Sequence, residues 1–431
     1  MTEPFTRRNM LLAAGAATFA VPAAATQAVA APPADQGQRP GDIVGALPAP
    51  PPGEIVPFQV HIPRSAIDDL RTRLAASRLA DPETAAGWVQ GAPLPQVRDL
   101  IRYWRHQYDW RRLERRLNSL PQFRTTIDGL AFYFIHVRSP HPNALPIILT
   151  HGWPGSFLEF LDVIGPLTDP VAYGGDAADA FDVVIPALPG FGFSAKPTEP
   201  GWRLPRIAAA WHTLMTRLGY PRYVAQGGDW GAGVTTWMAQ QQPAGLAAIH
   251  LNLPVLFAPP PLDGPPTPAE QEALKQLTTY GTDQSAYAIL QGTRPQTIGY
   301  GLADSPTGQA AWIYEKLSEW SDSDQDPDHL LGRDRILDNI SLYWFTNTAA
   351  SSGRLYAESF ATDFRTLHVD VPVGVSVFPR ELYRTPKVWA ERAYSRLFYW
   401  NDDIRKGGHF AAFEQPDLFT TELRRCFRSM R

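Results

Sequence analysis

Apolar and polar positions alternate first at Phe58-Gln59-Val60-His61-Ile62, which has the period of a strand. Ile67, Leu70, Leu74 and Leu79 then recur among charges, the spacing of an amphipathic helix over 63–79. A second helix is predicted from about 95 to 110, and the arginine-dense stretch from Arg111 to Leu117 reads as a solvated helix face rather than a seat for an anionic partner. From Phe123 the pattern turns to strands, 123–127 and 130–137, joined by an Asp128-Gly129 hairpin turn. Short continuous apolar runs follow at 146–150, 182–186, 223–225 and 249–253, each typical of a strand covered on both faces. Helical stretches separate them, so the fold class is α/β, with a parallel, doubly wound sheet. Between about 255 and 365 that rhythm gives way to helices at 270–277, 310–320 and 331–346. The segment is expected to cap the carboxyl edge of the sheet, where α/β folds place their sites. Strands at 373–378 and 397–400 and a closing helix from Pro416 restore the core.

Composition narrows the setting. With 431 residues, 44% of them hydrophobic, and a formal charge of −4, the chain is globular, long enough for one large domain with a smaller one, and not basic enough for nucleic acid. The 42 prolines crowd toward the N-terminus and mark 31–56 as a linker. Cys426 is the only cysteine, which excludes an intrachain disulfide and a cysteine-based zinc site. Residues 1–30 read as an export signal: Arg7-Arg8 open a twin-arginine-like region, the apolar run to Val21 is too short to span a bilayer, and Ala28-Val29-Ala30 is a small-residue cleavage site. A periplasmic or secreted protein without a membrane anchor is expected.

The chemistry is concentrated at Gln226-Gly227-Gly228-Asp229-Trp230-Gly231. A strand precedes it, a helix follows it, and small residues bracket Asp229 as they bracket the nucleophile in the strand-to-helix elbow of α/β-hydrolases. A serine there suits acyl substrates, but its attack on saturated carbon would leave an inert ether. A carboxylate attacking saturated carbon gives an alkyl ester that water can open, so aspartate points to an epoxide or an alkyl halide. The oxyanion donors expected for such an ester are the backbone N–H groups of Trp153, in His151-Gly152-Trp153-Pro154-Gly155-Ser156, and of Trp230, directly after the nucleophile. His409, in the glycine-flanked loop after the last strand, is the candidate base. Its acid partner is expected at Glu381, with Asp402 and Asp403 as rivals. Ring opening leaves an alkoxide, to which a cap phenol can give a proton without metal or cofactor.

These motifs resemble the microsomal-type epoxide hydrolases, including the juvenile-hormone epoxide hydrolases, from about Pro57 to the C-terminus. The resemblance rests on Gly87-Trp88, Tyr103-Trp104, Tyr108-Asp109-Trp110-Arg111, Pro121-Gln122-Phe123 and Ile127-Asp128-Gly129-Leu130 in order. The His151 loop, Pro189-Gly190-Phe191-Gly192-Phe193-Ser194, the Asp229 elbow and Gly407-Gly408-His409-Phe410-Ala411-Ala412-Phe413-Glu414 complete it. It implies an α/β-hydrolase core at 125–254 and 366–431, a cap at 255–365 and, within 57–160, a wrapping N-terminal segment running into the first core strands. It also implies Asp229 as nucleophile, His409 as base, Glu381 in Phe378-Pro379-Arg380-Glu381 as acid, and Tyr287 and Tyr356 as donors to the epoxide oxygen. The expected reactants are a small apolar epoxide and water. Two features depart from the family: an export-like segment replaces the membrane anchor of vertebrate members, and the stretch from Glu381 to His409 is slightly longer.

Two rival readings remain at this stage. A haloalkane dehalogenase also uses an elbow aspartate followed by tryptophan, but needs halide-binding N–H donors and no phenol pair. A non-catalytic binder on the same scaffold would typically lose the nucleophile or the base, and both are present here.

Overall fold

The computed structural model describes residues 43–44, 47–256, 264–359 and 369–431; the expected export segment, most of the linker and two stretches of the expected cap region and its edge lie outside the described residues. Among the described residues nine strands form one sheet: β1 (Ile55–Pro57), β2 (Gln122–Ile127), β3 (Leu130–Val137), β4 (Leu145–Thr150), β5 (Phe181–Pro186), β6 (Tyr223–Gly227), β7 (Leu246–Leu251), β8 (Val373–Ser376) and β9 (Leu397–Asn401). Their order is β1-β2-β3-β5-β4-β6-β7-β8-β9. β1, β2 and β3 join antiparallel, β3 meets β5 antiparallel, and from β5 to β9 every pairing is parallel. The parallel pairings are those the apolar runs predict; the sheet as a whole is mixed, because β1 and the Asp128-Gly129 hairpin strands β2 and β3 add an antiparallel edge.

Local chemistry explains the pairings. Asp128 and Gly129 both have positive φ, 49° and 77°, so the turn matches the strand twist and sets Ile127 opposite Leu130. Ile147, Ile148 and Leu149 on β4 and Val183, Val184 and Ile185 on β5 are fully buried, each worth roughly 2 kcal/mol of hydrophobic stabilisation. Helices Leu204–Arg217 and Asp229–Gln241 connect the parallel strands.

The N-terminal part departs from the sequence expectation in three places. The edge strand lies at 55–57, not 58–62. Past Phe58, whose N–H still donates to Gln122 O at 2.8 Å, the backbone is held by side chains: Asn118 accepts from Val60 N and donates to Val60 O, both at 2.8 Å, and Glu114 accepts from Ile62 N at 2.9 Å. A side-chain amide has the donor and acceptor of a neighbouring strand, so Val60 and Ile62 bury their side chains without a ladder. The second helix, Leu94–His106, stops short of Trp110, which instead opens the arginine-rich helix Trp110–Asn118, capped by Asp109 accepting from Arg111 N. Finally, that arginine-rich helix is not merely solvated: Arg112 binds both oxygens of Asp338 at 2.6 and 2.7 Å, and Arg116 binds Asp162 at 2.6 Å.

Between β7 and β8 lie six described α-helices, including Ala286–Thr293, Pro306–Glu319, Arg333–Phe345 and Ala349–Ser359. Helix Arg333–Phe345 is buried from Ile336 to Phe345 and is bonded from two directions. From the N-terminal helices come Tyr108 Oη to Asp338 at 2.8 Å and Trp104 Nε1 to Ser341 at 2.9 Å. Toward the sheet, Asn339 Nδ2 donates to Pro154 O at 2.8 Å and Tyr343 Oη donates to Gly155 O at 2.7 Å. Among the described residues no helix is long and apolar enough to cross a membrane.

Candidate active site

β6 ends at Gly227, and helix Asp229–Gln241 begins two residues later. Asp229 itself has φ of +50°, a left-handed conformation that a non-glycine residue adopts only where its surroundings impose it. A β-carbon at Gly227 would lie 2.1 Å from Gly231 O, so the strand and helix backbones touch there. Across the site, a β-carbon at Gly152 would lie 2.1 Å from Asp229 Oδ1. The glycines on both sides thus make room for one carboxylate.

That carboxylate has two differently engaged oxygens. Trp153 N–H donates to Asp229 Oδ1 at 2.8 Å, while Oδ2 lies 3.3 Å from His409 Nε2. The other ring nitrogen, Nδ1, is 2.5 Å from Glu381 Oε1, and both His409 and Glu381 are buried. Glu381, just beyond β8, is therefore the carboxylate on the imidazole. Asp402 and Asp403 are exposed, and Asp403 accepts from Arg405. Trp230 opens the same helix as Asp229, and its amide makes no hydrogen bond to the carboxylate among the described residues. Burial works to lower the His409 pKa, but the carboxylates of Glu381 and Asp229 outweigh it and raise it well above the usual imidazole value.

His151 has a different task. Leu188 N–H donates to its Nε2 at 3.2 Å, which leaves Nδ1 as the donor to Gly152 O at 3.0 Å. Burial lowers its pKa to about 4, so it stays neutral and braces the loop that presents Trp153 N–H.

The cap covers this pair with aromatic rings. Tyr287 stacks on Trp153, 4.9 Å between centroids and 10° between planes, and Tyr356 stands edge-on to Trp230 at 4.7 Å. The two tyrosine rings are 5.7 Å apart. Burial first, then neighbouring phenols and the charge of Asp229, hold the Tyr287 hydroxyl well above the ordinary phenol pKa; burial and then Asp229 do the same for Tyr356. Both are therefore neutral donors at physiological pH. The Tyr356 hydroxyl has no hydrogen-bond partner among the described residues.

Several residues that the sequence alone did not single out complete the site. Trp320 O accepts from His409 N at 2.9 Å, and Glu414 accepts from Gly408 N at 2.9 Å, Phe410 N at 3.0 Å and Asp322 N at 2.8 Å, so the His409 loop is clamped on both sides. The motif around His409 contains Glu414, but nothing in its spacing shows that its carboxyl turns back on the loop. Lys316 lies with Nζ 5.2 Å from the Tyr287 ring centroid, paired with Glu319 at 2.7 Å. Glu159 borders, with Asp229, His409, Gln226 and Asn252, a chamber of about 20 Å³, room for one water molecule. Burial and the nearby charge of Asp229, opposed by His409, raise Glu159 to about 8.

Known proteins resemble this chain in sequence and in fold. Residues 55–160 match the family model described as epoxide hydrolase N terminus, and residues 146–326 match the alpha/beta hydrolase fold. A protein of Stigmatella aurantiaca, itself named only provisionally as an epoxide hydrolase, is 59% identical over 88% of this chain and 86% of its own length. Epoxide hydrolase 1 of Oryctolagus cuniculus is 35% identical over 86% of this chain and 88% of its own. The crystal structure of juvenile hormone epoxide hydrolase from the silkworm Bombyx mori superimposes with a TM-score of 0.80 at 30% identity, covering 88% of this chain and 95% of that one.

Proposed function

The chain belongs to the epoxide hydrolase family of the α/β-hydrolase fold, and on that premise we propose that it converts an apolar epoxide to a vicinal diol through an ester on Asp229. The observation that carries the reading is the division of labour on one carboxylate: Oδ1 rests on Trp153 N–H, Oδ2 is turned to His409, and His409 is in turn held by Glu381.

In the first step Asp229 Oδ2 bonds to an epoxide carbon while the carbon–oxygen bond of the ring breaks. The electron pair goes to the ring oxygen, which takes a proton from Tyr287 or Tyr356. In the second step His409 Nε2 removes a proton from water, whose oxygen adds to Asp229 Cγ. Negative charge develops on Oδ1, where the Trp153 N–H already points. Collapse breaks the bond from Cγ to the substrate oxygen, which takes the proton from His409 as the diol leaves; the proton still on the added oxygen returns to the tyrosine phenolate, and the carboxylate is restored. Ester formation removes one of the two negative charges that hold the proton on His409, so the base is released when it is needed. The aromatic lining favours an apolar epoxide, and the phenol pair distinguishes this site from one that binds a departing halide.

Single-turnover hydrolysis in ¹⁸O-labelled water with styrene oxide, followed by peptide mass analysis, tests the mechanism: label is expected in Asp229, and unlabelled Asp229 would overturn it. Chloride release from a haloalkane without turnover of styrene oxide would overturn the substrate class. We also propose export by a twin-arginine-type route; an exported protein whose mature N-terminus lies upstream of Met10 would contradict it.

A further inference from the structure

Tyr287 has a phenolic neighbour that the reaction above leaves unused. The hydroxyl oxygens of Tyr280 and Tyr287 are 3.0 Å apart. Tyr280 begins a π-helical turn, Tyr280–Gln284, between helices Pro268–Thr279 and Ala286–Thr293; such turns recur at functional sites. The ring of Tyr287 has little freedom, being stacked on Trp153 and edge-packed on Trp320 at 5.0 Å and Tyr356 at 5.7 Å. What remains free is the rotation of its O–H. If that proton points at Tyr280 it is lost to the reaction; if Tyr280 donates instead, the Tyr287 proton is directed elsewhere.

We propose that Tyr280 is a positioning residue for ring opening, donating to the Tyr287 oxygen so that the Tyr287 proton faces the epoxide. The inference rests on the reading of Tyr287 as a donor to the epoxide oxygen. As the ring opens, the Tyr287 proton passes to the new alkoxide and its oxygen becomes a phenolate. The Tyr280 O–H then donates to an anion, and such a bond is stronger than one to a neutral hydroxyl. Tyr280 thus stabilises the transition state more than the bound substrate, which is the condition for raising a rate. Burial raises Tyr280 to about 12, with its bond to Tyr287 opposing, so it remains a protonated donor across the working range.

The test is a double-mutant cycle on single-turnover kinetics with styrene oxide, following alkylation of Asp229 separately from hydrolysis of the ester. Tyr280→Phe deletes one oxygen and is expected to slow alkylation roughly tenfold, the loss of one charge-assisted hydrogen bond, with ester hydrolysis unchanged. Tyr356 remains in Tyr287→Phe, which keeps alkylation measurable, and in that background Tyr280→Phe is expected to change nothing further. Unchanged alkylation in Tyr280→Phe, equal slowing of both steps, or an undiminished effect in the Tyr287→Phe background would each overturn the proposal. Failure of the parent reading looks different: the wild type would form no ester on Asp229, or Tyr287→Phe would alkylate at the wild-type rate.

Discussion

The carbonyl oxygen of Thr150 stands where a side chain at Gly231 would begin: a β-carbon built there would lie 1.9 Å from it. β4 and the helix that carries Asp229 therefore meet backbone to backbone, and neither can turn aside as a flexible side chain could. Gly231→Ala is expected to cost about 3 kcal/mol of stability as an overpacking defect. A urea midpoint that does not move would show that the contact is softer than the geometry implies.

His409→Gln keeps a polar group of similar reach but cannot take a proton from water. Asp229 should still be alkylated, while release of the diol slows by about 10³-fold, within the span of general-base catalysis. Intact-protein mass after mixing with styrene oxide should show a persistent adduct, and a variant that returns to its starting mass as fast as the wild type would remove His409 from the second step.

The pH dependence of that step follows from the same pair. In the free protein the His409 pKa is raised, so its ion pair contributes stability in full below the unfolded value of about 6.5 and loses it as pH rises through the folded pKa. Once Asp229 is esterified one of those charges is gone. Ester hydrolysis should therefore increase with pH through a pKa lower than that found for His409 by NMR titration of the free protein. Equal values would mean that the Asp229 charge has no hold on the base.

Glu414 gathers three backbone N–H donors on its two oxygens, yet burial raises its pKa to about 7. Because the folded value lies above the unfolded one of 4.5, the associated stability is complete below 4.5 and is lost as pH climbs through about 7. Glu414→Gln should flatten that dependence. It should also cost about 2 kcal/mol, since an amide NH₂ now faces a buried N–H. Denaturant melts of both proteins between pH 4 and 8 would expose a dependence that persists in the variant.

How much of this was legible beforehand depended on whether the deciding contact was local. β4, β5 and β6 are buried on both faces, and their unbroken apolar runs identify them from composition alone. Residues 58–62 alternate like a strand, but their partners are Asn118 and Glu114, more than fifty positions away, and no periodicity records a side chain that stands in for a backbone. The charge run at 111–117 has the look of a solvated face because Asp338 and Asp162, which meet Arg112 and Arg116, lie far along the chain. At the site, Glu381 was separated from Asp402 and Asp403 by its motif rather than by spacing. Tyr280 had no such motif; its place emerges only when two hydroxyls come within 3.0 Å.

Helix Arg333–Phe345 carries a last consequence. One group of its side chains is gripped by Trp104, Tyr108 and Arg112, while Asn339 and Tyr343 reach the loop that begins at Trp153. The segment from Trp104 to Arg112 is thus a buttress for the oxygen-binding amide, two contacts removed from it. An enzyme pared down to its catalytic core would keep every reacting atom and still lose the alignment that lets them react.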